Sequence, residues 1–290
     1  MSAKKLFAYG YGATAAVLGR RLLAKGWQVT GTCRTPENIQ SLQASGIEAL
    51  CFNGNVAPTS EQLSGTTHLL ISVPPGADGD LVLAAQEKAI EAAGTSIEWI
   101  GYLSTTGVYG DRAGARVQES DKVRPTSERG RRRVTAENAW FEFGAKMGVP
   151  VQTFRLAGIY GPGRNQIASL RSGKARRIVK SGHVFSRIHV EDIASVLEAS
   201  IAKPRTGAAY NVCDDEAAPP QDVVAFAAHL AGLGVPPEIA FAEADLSPMA
   251  RSFYEESKRV ANDLIKHELG VCLQYPTFRE GLTALYNAGE

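Results

Sequence analysis

Cysteine is scarce. The 290 residues hold four (Cys33, Cys51, Cys213 and Cys272), far apart and with no C-x-x-C pair. That spacing excludes a zinc ribbon or a secreted disulfide framework and fits a reducing compartment. The five histidines, His68, His183, His189, His229 and His267, show no ligand spacing, so no metal is expected. Net charge is nearly absent at +1, which gives no global reason to bind nucleic acid or a membrane surface. Long apolar runs are missing too, since none approaches the ~18 residues of a membrane span. "LFAYGYG", after the basic "MSAKK", is too short and glycine-broken for a signal peptide. A cytoplasmic protein is expected. What is present is ordinary globular material, 44% hydrophobic and 21% charged, enough for a substantial core in one or two domains.

The charge is uneven. Between Arg112 and Arg187 there are 17 Lys and Arg against 5 Asp and Glu. This stretch either faces an anionic ligand or is a solvated surface balanced by acidic neighbours. Its densest part is "SERGRRRVTAENAW", with Arg129, Arg131, Arg132 and Arg133 in five positions.

Two periods alternate along the first half. "KLFAYG", "WQVTGTC", "IEALCF", "THLLISV", "IEWIGYLST" and "VPVQTFRL" read as buried strands. Helical patterns lie between them: "ATAAVLGRRLLAKG", with Ala15, Leu18 and Leu22 on one face, "TPENIQSLQASG", and "DLVLAAQEKAIEAAG". Strands alternating with helices predict an α/β fold built on a doubly wound parallel sheet. After about Gly161 the pattern loosens at "GPGRNQ", then resumes in a helix, "HVEDIASVLEASIAK", and a strand, "GAAYNVCD". The expected division is a dinucleotide-binding domain over residues 1–160, with 187–213 returning to its sheet, and a smaller lobe mainly within 161–290.

"YGYGATAA" places Gly10-x-Gly12-x-x-Ala15 between the first strand and the first helix. Gly10 permits a tight turn, Gly12 lets backbone approach a pyrophosphate, and Ala15 lets helix and strand pack closely. The N–H groups of Ala13, Thr14 and Ala15 then open the helix toward an anion. The context of strand, turn and helix is the one this mechanism requires. At the end of the second strand, where an NAD site usually carries a carboxylate, the chain has Thr32, Cys33 and Arg34. A 2′-phosphate meets no repulsion there, and Arg34 can pair with it. NADP is therefore expected ahead of NAD. Ser72, Val73 and Pro74, after the fourth strand, are expected beside the adenosine and the nicotinamide ribose.

The glycine turn, "YLSTTGVYGD", "TFRLAGIYGPGR" and "RIHVEDIA" together resemble the extended short-chain dehydrogenase/reductase superfamily, the NAD-dependent epimerase/dehydratase group. The likeness runs from Leu6 to about Asp214 and more loosely to "YPTFREGL". It implies a Rossmann-type sheet of about seven strands with a smaller C-terminal substrate lobe. It implies that Thr105 hydrogen-bonds the substrate oxygen undergoing redox. The family's tyrosine and lysine precede a glutamate that Glu137 matches, and counting back puts Arg129 at the tyrosine position and Arg133 at the lysine position. Arginine stays protonated and cannot cycle a proton. The chain thus resembles an atypical member lacking the Tyr-x-x-x-Lys dyad. Arg133 is expected to bind ribose or phosphate, Arg129 to hold an anionic group, and Tyr109 is the nearest alternative acid. Tyr160 and His189 are expected to be mainly structural.

Two readings follow. One is an NADP-dependent oxidoreductase or epimerase-like enzyme acting on a small, anionic, oxygenated substrate. The other is a non-catalytic NADP-binding sensor or partner-binding protein. Relatives dimerise through the helices after strands four and five, against which the arginine-rich helix argues, so monomer and homodimer both stay open.

Overall fold

The computed structural model describes residues 4–290. From the N-terminus run β1 (Lys5–Tyr9), α1 (Ala13–Ala24), β2 (Gln28–Cys33), α2 (Ile39–Gln43), β3 (Glu48–Cys51), α3 (Ser60–Leu63), β4 (His68–Ile71), α4 (Leu81–Ala93) and β5 (Trp99–Thr105). Next come β6 (Arg116–Val117), α5 (Glu128–Met147), β7 (Val151–Leu156), β8 (Gly158–Tyr160), α6 (Gln166–Arg171), β9 (Arg177–Val179), β10 (Arg187–His189), α7 (Val190–Ala202) and β11 (Ala208–Val212). The remainder forms α8 (Pro220–Leu230), β12 (Glu238–Ala240), α9 (Pro248–Glu255), β13 (Arg259–Val260), α10 (Asp263–His267) and α11 (Phe278–Asn287).

Seven strands make one sheet in the order β11-β7-β5-β4-β1-β2-β3. The pairings of β1 with β2 and β4, of β2 with β3, and of β4 with β5 are all parallel. Parallel strands covered on both faces must be apolar throughout. Accordingly Leu6, Phe7, Ala8 and Tyr9 in β1 and Leu69, Leu70 and Ile71 in β4 are fully buried. This is the Rossmann-type architecture that the alternating pattern predicts. "GAAYNVCD" supplies the edge strand β11, whereas β10 pairs with β8 in a separate two-stranded ladder.

Two compact units are resolved. The first comprises the chain up to Thr105, Arg131–Arg155 and Ala194–Tyr210; the second comprises Thr106–Gly130, Leu156–Ile193 and Asn211–Glu290. The first has a core around Phe7, Tyr9, Leu69, Ile100, Tyr102, Trp140 and Phe143. The second has its own, in which Tyr160, Ile167, Val223, Phe278 and Leu282 pack together. Fully burying one such side chain contributes roughly 1.5–3 kcal/mol.

α1 buries Ala15, Leu18 and Leu22, the face its spacing predicts. The helix predicted in "TPENIQSLQASG" is weaker than expected. Its start is a 3₁₀ turn, Pro36–Asn38, and the five residues of α2 that follow bury nothing. With no apolar face to dock, the segment gains too little from packing to extend into a longer helix.

Candidate functional site

The first site is built by backbone at the end of β1. Gly10 has φ +84°, and a Cβ there would stand 3.2 Å from the Val73 backbone nitrogen. Gly10 N–H donates to Thr32 Oγ1 at 2.8 Å, and Tyr11 N–H donates to the Thr32 carbonyl at 2.8 Å. The Tyr11 ring then folds back between α1 and β2. It occupies the space beside two other glycines: a Cβ on Gly19 would lie 2.1 Å from its hydroxyl oxygen, and one on Gly31 would lie 2.5 Å from a ring carbon. Those glycines clear the exit of the turn by storing its only bulky side chain. Gly12 is the N-cap of α1, with no side-chain cap and no acidic residue in the first turn. The N–H groups of Ala13, Thr14 and Ala15 therefore form a positive helix end with no side-chain acceptor of their own.

A cavity of about 610 Å³ opens there. Its walls are three strand ends: Gly10–Gly12 after β1, Thr32–Thr35 at β2, and Ser72–Pro74 after β4, with Asn38, Ser41, Leu42 and Phe52 closing it. In the strand order, β1 is where the chain turns from one side of the sheet to the other. Open α/β sheets bind their ligands outside such a switch point. Among the described residues no carboxylate lines the cavity, and Arg34 stands in the wall, exposed. The Arg34 carbonyl accepts from Cys51 Sγ at 3.4 Å and from Asn53 Nδ2 at 3.3 Å.

The end of β5 is different: side chains build it. Ser104 Oγ donates to Glu137 Oε1 at 2.5 Å. Arg155, on β7, donates from Nη2 to Glu137 Oε2 at 2.8 Å and from Nε to both oxygens at 3.3 Å. All three are buried, Glu137 at 2% exposure. Arg133, one turn before Glu137 on α5, is also buried. Its Nη1 donates to the Tyr102 hydroxyl at 3.3 Å and to the Leu103 carbonyl, and its guanidinium lies 5.7 Å from the Tyr102 ring centre. Burial raises the Tyr102 phenol well above its usual range, so it stays neutral. Thr105 follows Ser104 as the last residue of β5 and is half-buried.

In the second unit, Tyr109 is fully buried and its hydroxyl donates to Asn211 Oδ1 at 2.8 Å. Tyr109, the expected alternative acid, thus has its hydroxyl in the interior with an acceptor already in place. Arg129 is exposed, its guanidinium 5.7 Å from the Phe253 ring centre. Arg129, Arg133 and Glu137 share a helical face by spacing, yet only the last two are buried. Tyr160 packs on Gly281, where a Cβ would lie 2.0 Å from its hydroxyl oxygen, and burial raises its phenol out of the working range. Burial lowers His189 to about 4, and its Nδ1 accepts from Glu191 N–H at 3.2 Å. Asp192 accepts from the N–H groups of Gln274 at 2.7 Å and Tyr275 at 3.1 Å, fastening that loop. Part of the basic excess is balanced by acidic residues, as in Arg177 with Glu238 at 3.0 Å and Lys146 with Glu87 at 3.0 Å.

A family model described as "NAD dependent epimerase/dehydratase family" matches residues 81–213. Protein YeeZ of Escherichia coli (strain K12) is 30% identical over 220 residues, which cover 72% of this chain and 77% of that protein. The chain belongs to the NAD-dependent epimerase/dehydratase family. A solved "functionally unknown conserved protein" from Silicibacter pomeroyi DSS shares 53% identity over 99% of both chains, with a TM-score of 0.92. MoeE5 in complex with UDP-glucuronic acid and NAD superimposes with a TM-score of 0.79, covering 99% of this chain and all of that one. At 20% identity, this last likeness speaks for the fold alone. Within the family frame, the glycine turn and the Ser104–Thr105 end of β5 stand at the sheet edge where open α/β folds bind ligands.

Sequence reading missed Tyr11 and Arg155 in these sites and the buried Asp80 that caps α4, and it gave Thr32 no part in holding the turn. Asp80 is buried and caps α4 through Oδ1, accepting from Val82 N–H at 3.0 Å and Leu83 N–H at 3.1 Å. Its signal was available as an aspartate just ahead of a helical pattern. Arg155 was visible as a lone charge inside a buried strand, which demands a partner. Tyr11 carried no signal beyond the glycines that receive it.

Proposed function

We propose that this chain is an NADP-dependent oxidoreductase or epimerase-like enzyme acting on a small, anionic, oxygenated substrate. One observation carries the reading: the cavity beside the glycine turn holds Arg34 and no carboxylate. The residues fit a dinucleotide. The uncapped first turn of α1 would receive the pyrophosphate, Arg34 the 2′-phosphate, and Ser72, Val73 and Pro74 the adenosine and the nicotinamide-side ribose. Arg133 is the family's ribose-binding position, and its tie to Tyr102 and Leu103 fixes the guanidinium for that role. When bound, the coenzyme supplies hydride transfer. Thr105 orients the substrate oxygen from the end of β5. Arg129 holds the substrate's anionic group with a fixed charge that moves no proton. The proton exchanges with solvent or with the substrate itself. MoeE5 is named with a sugar nucleotide, an anionic and oxygenated ligand of the class proposed here. The unit made of the chain up to Thr105, Arg131–Arg155 and Ala194–Tyr210 acts as the coenzyme domain and the other as the substrate lobe, in place of the expected split of 1–160 with 187–213 against 161–290.

Titration with NADPH and NADH tests the coenzyme. Arg34→Ala should weaken NADPH by about 1.5–3 kcal/mol, the worth of a charge-assisted hydrogen bond, and leave NADH nearly unchanged. Equal wild-type affinities would overturn the NADP assignment. For the reaction, bound NADPH fluorescence is followed in single turnover against carbonyl compounds and nucleotide sugars. Oxidation by one of them, abolished in Thr105→Val, is expected.

A second reading, a non-catalytic dinucleotide sensor, has its own support. Tyr109 is closed inside the second unit, and arginines replace the proton-cycling dyad. Tight NADPH binding with no turnover on the whole panel would favour it.

A further inference from the structure

Cys33 and Cys51 lie 18 residues apart and look unrelated in sequence. The parallel register of β2 and β3 makes them direct partners, Cys33 opposite Cys51. Neighbouring strands stand roughly 4.8 Å apart, and register partners present their side chains on the same face. That spacing is inside the window of about 4.4–6.8 Å over which Cα atoms accept a disulfide. Both thiols are half-buried and point into one short loop. Cys33 Sγ donates to the Thr35 carbonyl at 3.3 Å and Cys51 Sγ to the Arg34 carbonyl at 3.4 Å. Burial and the nearby Cys51 raise the Cys33 thiol, which makes Cys33 the poorer attacker and the resolving sulfur of the pair. Cys33, Arg34 and Thr35 line the 610 Å³ cavity.

We propose that Cys33 and Cys51 form a reversible modification site for peroxide-class oxidants, and that their oxidation to a disulfide weakens coenzyme binding. One thiolate attacks a peroxide oxygen and becomes a sulfenic acid, releasing hydroxide. The partner sulfur attacks it, an S–S bond forms, and the second oxygen leaves as water. With hydrogen peroxide, two thiol protons and two electrons from sulfur convert the oxidant to two waters. A dithiol reductant reverses the step. The effect on the site follows from the donors lost. A disulfide has no S–H, so the carbonyls of Arg34 and Thr35 lose their thiol donors, and the loop carrying the guanidinium keeps only the Asn53 side-chain bond to the Arg34 carbonyl. The effect on binding rests on the proposed coenzyme reading; the formation of the bond does not.

The test uses the full chain with Cys272→Ser, which removes the exposed thiol and intermolecular bridging. Treatment with hydrogen peroxide should consume two thiols with no change in oligomeric state. Peptide mapping should join Cys33 to Cys51. The NADPH dissociation constant should rise by about tenfold, the loss of roughly one charge-assisted contact, and return with dithiothreitol. Adding Cys33→Ser and Cys51→Ser should abolish the response. A map without the Cys33–Cys51 bridge overturns the inference, as does a bridged protein with unchanged affinity. If the reduced protein binds neither coenzyme, the proposed function falls, the claimed effect on binding falls with it, and the map still decides the modification site.

Discussion

The first unit carries two polar regions that use arginine in opposite ways. At the ends of β1, β2 and β4, backbone shapes the cavity, and Arg34 stands exposed in its wall. At the end of β5, side chains shape the site, and Arg133 and Arg155 are buried against protein acceptors. An arginine is therefore read by what its five N–H groups already hold, not by its place in a motif. The first region is open to a ligand's charge. The second pairs Arg155 with Glu137 and ties Arg133 to Tyr102 and Leu103, which fixes the frame on which Thr105 sits.

The largest expected effect lies in the second region. Glu137→Ala leaves the buried Arg155 guanidinium without its carboxylate, and breaking a buried pair in this way costs about 3–5 kcal/mol. Urea denaturation should show that loss, while NADPH affinity of the folded fraction stays near wild type. A variant that stays stable but binds coenzyme poorly would break the contrast, because the Glu137–Arg155 pair would then serve the coenzyme rather than the frame.

A smaller effect tests the backbone-built region. Gly31→Ala places a methyl 2.5 Å from the Tyr11 ring. Overpacking of that kind costs about 1–3 kcal/mol. The partner change Tyr11→Ala should return most of it, since the clash is with that ring. A double-mutant cycle showing no coupling between the two positions would mean that the glycines do not serve the turn.

The same contrast explains what could be read in advance. The glycine turn was legible because its constraints are local: a positive φ at Gly10, an uncapped helix start at Gly12 and a buried small residue at Ala15 follow one another in the chain. The doubly wound parallel sheet was legible from alternation. The helical period of "RGRRRVTAE" identified the face shared by Arg129, Arg133 and Glu137, but period carries no depth, and the structure buries two of the three. Glu137 with Arg155, and Cys33 with Cys51, are each 18 positions apart, and strand order or register brings each pair together. The place of Tyr109 after β5 says nothing of the asparagine, Asn211, that accepts its hydroxyl from 102 positions away.

The last effect is a slope with pH rather than a fixed loss, and it probes a buried charge outside both regions. In the second unit, burial raises the Asp214 carboxyl from 3.8 to about 8, with Arg187 pulling the other way. Asp214 Oδ1 accepts from Glu216 N–H at 3.3 Å, and Oδ2 has no hydrogen-bond partner. The folded state then holds a proton that the unfolded chain releases between 3.8 and about 8. Stability from this group is therefore full below the lower value and declines as pH rises toward the upper one. Asp214→Asn, always neutral, removes the slope. Wild type should be no less stable than the variant at and below 3.8 and should lose ground to it steadily from there toward pH 8, by thermal melts of both across that range. The opposite trend would show that the attraction of Arg187 outweighs burial, and that the second unit, like the end of β5, holds its buried carboxylate as one half of an ion pair.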